Sequence, residues 1–179
     1  MEQGTLVLNL PTSLSNLRRV LVFTTLTVLS FFVPFTIGHP QLLVGIVVNA
    51  CLFLSVIFLP KKYYLPIIVM PSLGLLARGI VFGSLTPFLI YFLPFIWLGN
   101  LVLVLAFKKL FFTGSVSIIV SAAAKFLFLF IVANIYFNFH LVPQLFLQSM
   151  GMLQLFTALI GGFVALIILK IYGKHYARN

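Results

Sequence analysis

The sequence predicts an all-α integral membrane protein, a bundle of six transmembrane helices, and three observations lead to this class. The chain is 63% hydrophobic and only 7% charged, whereas a soluble domain normally carries about 25% charged residues. The apolar residues fall into six runs, each long enough to cross a hydrocarbon core about 30 Å thick. Pairs of basic residues stand at the ends of alternate runs, and such pairs set the orientation of membrane helices.

The breaks between the runs are short and contain glycine, proline or polar residues, which interrupt helices. No stretch is long and polar enough to be a separate soluble domain. The first run follows Arg18 and Arg19 and is interpreted as an uncleaved helix, with a signal peptide as the alternative. We predict one integral membrane domain over residues 1–179, with helices at about 18–37, 41–59, 63–82, 88–107, 115–137 and 146–172.

The basic residues predict the orientation of these helices. If the N-terminus is cytoplasmic, every Lys and Arg except Arg78 and Lys125 lies on the cytoplasmic side, as the positive-inside rule requires. Both termini are therefore predicted to be cytoplasmic, in the inner (plasma) membrane of a bacterium. The same residues are expected to contact anionic membrane lipid. Nucleic acid is not expected as a partner, because the basic pairs mark the ends of apolar runs.

The near absence of acids excludes most catalytic chemistry. The chain has 11 Lys and Arg but one acid, Glu2, so it lacks a carboxylate pair for acid–base catalysis and carboxylate ligands for Mg²⁺ or Ca²⁺. No P-loop is present. Cys51 is the only cysteine, and His39 and His140 lack a third ligand with which to hold a metal. We predict no enzyme activity, no catalytic residues, no metal and no cofactor.

Arg78 and Lys125 are the two basic residues inside apolar runs. A charge near the bilayer centre costs about 2.5–3.5 kcal/mol on insertion scales, so each side chain is expected to face the bundle interior or water. The partner of each is then either a neutral protein group or an anionic ligand. Arginine suits a carboxylate or phosphate, because its fork bonds two oxygens. The alternatives are that Arg78 reaches the headgroups and that Lys125 makes a structural hydrogen bond.

Helical spacing groups polar and small residues into stripes. Pro71 and Gly74 are expected to loosen their helix and to free carbonyls for a ligand, with a simple proline kink as the alternative. The stripes are Gln41, Gly45 and Asn49; Pro71, Gly74 and Arg78; and Ser117, Ser121 and Lys125.

Trp97 is an aromatic residue inside the fourth run, where it either packs or, with Tyr91, stacks on a flat ring. Asn49 and Asn100 lie at the centres of the second and fourth runs. The predicted ligand-binding residues are Arg78, Asn49, Asn100, Lys125 and Trp97.

The sixth run carries a face of small residues, which is typical of close helix packing in membranes. This face either packs within the bundle or docks on a partner membrane subunit. Its members are Gln154, Thr157, Ala158, Gly161, Gly162 and Ala165.

Several short motifs resemble those of a family of small six-helix bacterial membrane proteins similar to the substrate-binding S components of energy-coupling factor (ECF) transporters. The resemblance covers the six-helix plan and about residues 38–107. It implies a pocket near the outer face, a transmembrane coupling subunit and paired ATPases. The motifs are Gly38-His39-Pro40, Gly45-xxx-Asn49, Pro71-Ser72-Leu73, Ala77-Arg78-Gly79 and Pro94-Phe95-Ile96-Trp97-Leu98-Gly99-Asn100.

Two functions follow as predictions. The first is a substrate-binding membrane subunit of an importer for a small, vitamin-like, anionic or aromatic nutrient, energised by partner subunits. The second is a structural or assembly subunit of a larger membrane complex, in which the small-residue face of the sixth helix would be the functional surface.

Overall fold

The computed structural model describes residues 12–37, 40–82 and 86–176, and all regular structure in these ranges is helical. The predicted all-α class is therefore confirmed. Single 3-10 turns occupy Lys61–Tyr63 and Phe111–Thr113. The α-helices are α1 (Thr12–Thr36), α2 (Gln41–Phe58), α3 (Tyr64–Phe82), α4 (Thr86–Lys109), α5 (Ser115–Asn138), α6 (Gln144–Met150) and α7 (Met152–Tyr176).

Within the described residues, five helical segments are long and apolar enough to cross a membrane. Their outward surfaces carry exposed leucine, isoleucine, valine and phenylalanine side chains, as expected of helices surrounded by lipid. The segments are Asn16–Thr36, Gln41–Phe58, Ile90–Lys109, Ser115–Asn138 and Met152–Tyr172.

The helix ends agree closely with the sequence prediction at α2 to α5, and differ at the two ends of the chain. The first helix begins at Thr12 rather than near residue 18. The single helix predicted at 146–172 is two helices, α6 and α7, separated by Gly151. The backbone of Gly151, with a φ of −94° and a ψ of −127°, leaves the helical region and so ends α6. A Cβ there would lie 2.6 Å from the Leu147 carbonyl oxygen, so the break requires a glycine.

Helix α2 occupies the centre of the bundle, where it packs on α1, α3, α4 and α7. Helices α5 and α4 complete the ring between α7 and α3. The main core surrounds α2 and contains the fully buried side chains of Leu52, Phe53 and Ile67. A smaller core between α4 and α5 is centred on Phe92 and Leu129.

Candidate functional site

A buried group of three polar side chains joins the helices α5, α2 and α7. The Lys125 ammonium of α5 donates a hydrogen bond of 2.7 Å to Asn49 Oδ1 of α2. The Asn49 amide in turn donates to Thr157 Oγ1 of α7 at 3.1 Å and to the Gly45 carbonyl oxygen at 2.9 Å. Lys125 is 3% exposed, Thr157 2% and Asn49 1%. A cation sealed from water is thus stabilised by a neutral amide oxygen, an interaction strengthened by the charge.

This contact depends on glycines that let α7 approach α2 and α5. A Cβ on Gly45 would lie 2.7 Å from Thr157 Cγ2, and a Cβ on Gly161 would lie 2.7 Å from the Ile46 carbonyl oxygen. A Cβ on Gly162 would overlap the side chain of Ile118. The small-residue face of the predicted sixth helix is therefore covered by α2 and α5. This agrees with the first of the two interpretations, in which the face packs within the bundle. The face is not available to a partner subunit.

A second polar group joins α3 to α4. The Asn100 amide donates to the Ile68 carbonyl oxygen at 3.0 Å, and both Asn100 and Ser72 are 2% exposed. The Trp97 indole N–H donates to Ser72 Oγ, whose hydroxyl donates to the Val69 carbonyl oxygen at 2.9 Å. Trp97 is half-buried, and the neighbouring aromatic residue considered for stacking, Tyr91, is 69% exposed. Trp97 and Asn100 thus hold α4 against α3 through internal hydrogen bonds.

Helix α3 continues through Pro71 and Gly74, where the sequence predicts loosening. Gly74 faces α1 at close range, since a Cβ there would overlap the Phe31 carbonyl oxygen. The face on which the sequence analysis expects carbonyls freed for a ligand is, at Gly74, in tight contact with α1. The nearby carbonyl oxygen of Ile68 accepts a hydrogen bond from the Asn100 side chain.

Arg78 meets the C-terminal end of α1. Its Nη1 donates to the carbonyl oxygens of Phe35 at 3.0 Å and Thr36 at 2.9 Å. These carbonyls have no partner within their own helix, and the negative end of the helix dipole favours a cation there. The last turn of α1 has no basic residue of its own. The half-buried guanidinium of Arg78 supplies that charge from the neighbouring helix.

The structure therefore divides the five predicted ligand-binding residues among three places. Asn49 and Lys125 are in direct contact, Trp97 and Asn100 lie one turn apart on α4 and bond to α3, and Arg78 lies at the end of α1. Each has a partner inside the protein. Whether any of them also binds a ligand stays a prediction.

The described histidine and the other possible metal ligands do not form a metal site with the polar groups described above. His140 is exposed, with a φ of 57°, in the turn after α5. His39 and the break at 83–85 lie outside the described residues. Among the residues that the structure describes, no three His, Cys, Asp or Glu side chains come close enough to hold a metal ion.

An open cleft of about 320 Å³ lies where α5, α6 and α7 meet. Gln144 supplies a polar side chain, and Phe130 supplies an aromatic ring. The sequence analysis missed this cleft, because it forms at the break between α6 and α7. The available signal was Pro143-Gln144 followed by Gly151, which brackets a helix of only seven residues. The cleft is lined by Phe130, Gln144, Leu147, Gly151 and Met152.

Comparison with protein-family models, with curated proteins and with solved structures gives no match for this chain.

Proposed function

We propose that this chain is the substrate-binding integral membrane subunit of an importer for a small nutrient, of the type of the ECF transporter S components. In this proposal all six long helices cross a bacterial plasma membrane, and both termini are cytoplasmic. The cleft between α5, α6 and α7 is then near the outer face. That cleft is the observation that carries the proposal, because a solute taken up from outside would meet it first.

The lining of the cleft suggests the chemistry of the solute. A volume of about 320 Å³ lies at the lower end of the range of small-molecule pockets, about 300–1,000 Å³. The lining is apolar apart from the amide of Gln144, and the Phe130 ring offers a stacking surface. We infer a small, flat or mainly apolar molecule with one hydrogen-bonding group. Of the anionic and aromatic alternatives, the aromatic one fits this lining better.

The five polar residues predicted from the sequence have supporting roles in this proposal. Arg78 fixes the outer end of α1, and the Lys125–Asn49 bond fixes α5 to α2. Trp97 and Asn100 fix α4 to α3. Of these bonds, the one between Lys125 and Asn49 holds a helix that frames the cleft, α5. Energy for uptake would come from a coupling subunit and ATPases, since the chain has no P-loop and one acid.

Thermal unfolding in detergent, measured with a panel of vitamins that includes flat aromatic and anionic members, tests the proposal. At least one member is expected to raise the midpoint temperature. Leu147→Trp, which fills the cleft, and Gln144→Leu, which removes its amide, should abolish that shift. Ile160→Trp is the matched control, because Ile160 lies on α7 and is 42% exposed on the outer surface.

The proposal is wrong if no member of the panel stabilises the protein, or if Leu147→Trp and Ile160→Trp retain the shift equally. Co-purification with a large enzyme complex that lacks ATPases would instead favour the assembly role. That role no longer has the surface first considered for it, because the small-residue face of α7 is buried against α2 and α5.

A further inference from the structure

Two hydroxyl groups on α1 are buried without a hydrogen-bond partner. Among the residues that the structure describes, Thr27 Oγ1 and Ser30 Oγ are sealed from solvent and make no hydrogen bond. The whole of Ser30 is 0% exposed. A buried hydroxyl that lacks a partner costs free energy, because it has lost its hydrogen bonds to water, and such groups are rare in folded proteins. Two of them on one helix indicate that a partner is still to be identified.

The backbone of α1 does not supply that partner. Serine and threonine hydroxyls in a helix often donate to the carbonyl oxygen three or four residues earlier. Thr36 of the same helix does so, since its Oγ1 donates to the Phe32 carbonyl oxygen at 2.7 Å. Thr27 and Ser30 make no such bond. Their hydroxyls are therefore free to bind a group that lies beside the helix.

The two hydroxyls lie within reach of one small molecule. Thr27 and Ser30 are three residues apart, so they lie on the same side of α1 with Cβ atoms about 5–6 Å apart. Two hydrogen bonds of about 2.8 Å each, made by one water molecule, cover such a separation.

A third polar group lies at the same place on the neighbouring helix. The Ser30 hydroxyl is beside the Cys51 thiol of α2, in an orientation that makes no regular hydrogen bond. Cys51 is 2% exposed, and a thiol is a weak donor and a weak acceptor. Two hydroxyls and a thiol make three polar groups, which is the number of partners that a buried water molecule typically has.

Pro34 increases the need for a donor at this point of α1. Proline has no N–H, so the helical hydrogen bond to the carbonyl oxygen four residues earlier, that of Ser30, cannot form. Bulk water is not available within the hydrocarbon region. Ordered water molecules are one of the means by which carbonyls freed by a proline are satisfied there.

We propose that Thr27, Ser30 and Cys51 hold one internal water molecule, which joins α1 to α2 beside the proline of α1. The water accepts from one hydroxyl and donates to the other, and its second proton is available to the Ser30 carbonyl oxygen. A metal ion does not suit this set, because it contains no carboxylate or imidazole. The site is independent of the proposed ligand cleft, since none of its residues lines that cleft.

The sign of two stability changes tests the site. Ser30→Ala and Thr27→Val are compared, singly and together, by thermal unfolding of the full-length protein in detergent. Each single variant removes one hydrogen bond of the water, so each midpoint should fall by about 2–4 °C. The double variant should fall by less than the sum of the two, because both substitutions act on the same water molecule.

Thr25→Val is the matched control, because Thr25 is an exposed threonine of the same helix. Its midpoint should stay close to that of the wild type. An experimental structure that shows ordered water elsewhere in the bundle provides the direct measurement. Density for a water molecule within hydrogen-bond distance of Thr27 Oγ1 and Ser30 Oγ is expected in the wild type, and its loss is expected in the double variant.

Two results would overturn the proposal. Single variants that leave the midpoint unchanged or raise it would show that the hydroxyls bind nothing and that their removal relieves a cost. An experimental structure in which both hydroxyls donate to backbone carbonyls of α1, with no water density between them, would show that the helix satisfies them by itself.

Discussion

Replacement of Asn49 by alanine should destabilise the bundle, because it leaves the buried Lys125 ammonium without its hydrogen-bond acceptor. Asn49 Oδ1 accepts the hydrogen bond from Lys125 Nζ at 2.7 Å, in a position where both side chains are almost fully sealed from solvent. The chain has no acidic side chain within its apolar runs that could replace this acceptor.

The magnitude follows from what each variant leaves behind. Asn49 is neutral, so its removal breaks a hydrogen bond to a charged group, and such a bond contributes about 1.5–3 kcal/mol. Asn49→Ala is expected in that range. Lys125→Met removes the charge and leaves only the Asn49 oxygen without its donor, which costs about 1–2 kcal/mol. The double variant should cost less than the sum of the two by about 2 kcal/mol.

The assay is a double-mutant cycle on equilibrium unfolding in mixed micelles, with the fraction of denaturing detergent as the variable. A cycle is required because it cancels the packing loss that each substitution causes by itself. Neutral hydrogen bonds between membrane helices couple by about 0.6 kcal/mol on average. A coupling energy of about 2 kcal/mol therefore distinguishes a hydrogen bond with a charged donor from a hydrogen bond between two neutral groups.

A coupling energy at or below about 0.6 kcal/mol would refute this reasoning, as would a larger loss from Lys125→Met than from Asn49→Ala. The matched control is Asn134→Ala on α5. Asn134 Nδ2 donates only to the Phe130 carbonyl oxygen of its own helix, at 2.8 Å. A change within about 0.5 kcal/mol is expected for this control.

Three further predictions concern α1 and α3. Arg78→Gln should cost about 1–3 kcal/mol and speed amide exchange in the last turn of α1, because a charged donor to two carbonyls is lost. Gly74→Ala should cost at least about 2 kcal/mol in thermal or detergent unfolding, since its Cβ would overlap the Phe31 carbonyl oxygen. Asn100→Leu should cost about 1–2 kcal/mol by the same measurement, because the Ile68 carbonyl loses a buried donor.

Each of these three predictions has a control variant or a result that would contradict it. Arg78→Lys retains the charge and should recover part of the stability, whereas equal losses from the Lys and Gln variants would contradict the capping role. Gly114→Ala meets open space and bears only the strain of a φ of 61°, so it should be milder than Gly74→Ala. An Asn100→Leu variant as stable as wild type would show that the bond to α3 contributes nothing.

The stripes read from helical spacing were largely correct as faces. Ser117, Ser121 and Lys125 are all buried on one side of α5, and Gly74 and Arg78 both face α1. Helical periodicity alone was enough to predict these faces, because residues four apart on a helix lie on the same side. The partners of these faces could not be read in the same way. Which helix meets a face depends on how each helix is rotated and placed against its neighbours.

Arg78 illustrates the difference between identifying a residue and finding its partner. Composition showed that no carboxylate within the apolar runs could neutralise it. The sequence could not show that the carbonyls of Phe35 and Thr36, 43 and 42 positions earlier in the chain, come within 3.0 Å. The same holds for Thr157, which looked like one small residue in a packing face and is a hydrogen-bond partner of Asn49, 108 positions away.

By itself the sequence determined the class of protein, because a chain with 63% hydrophobic residues and a single acid is incompatible with a water-soluble fold. It also determined most helix ends, since prolines, glycines and basic pairs act locally. Only the tertiary structure decided the internal partners of the polar residues and the cleft at α6. Each of these depends on distances between segments that are remote in sequence, and local chemistry does not set those distances.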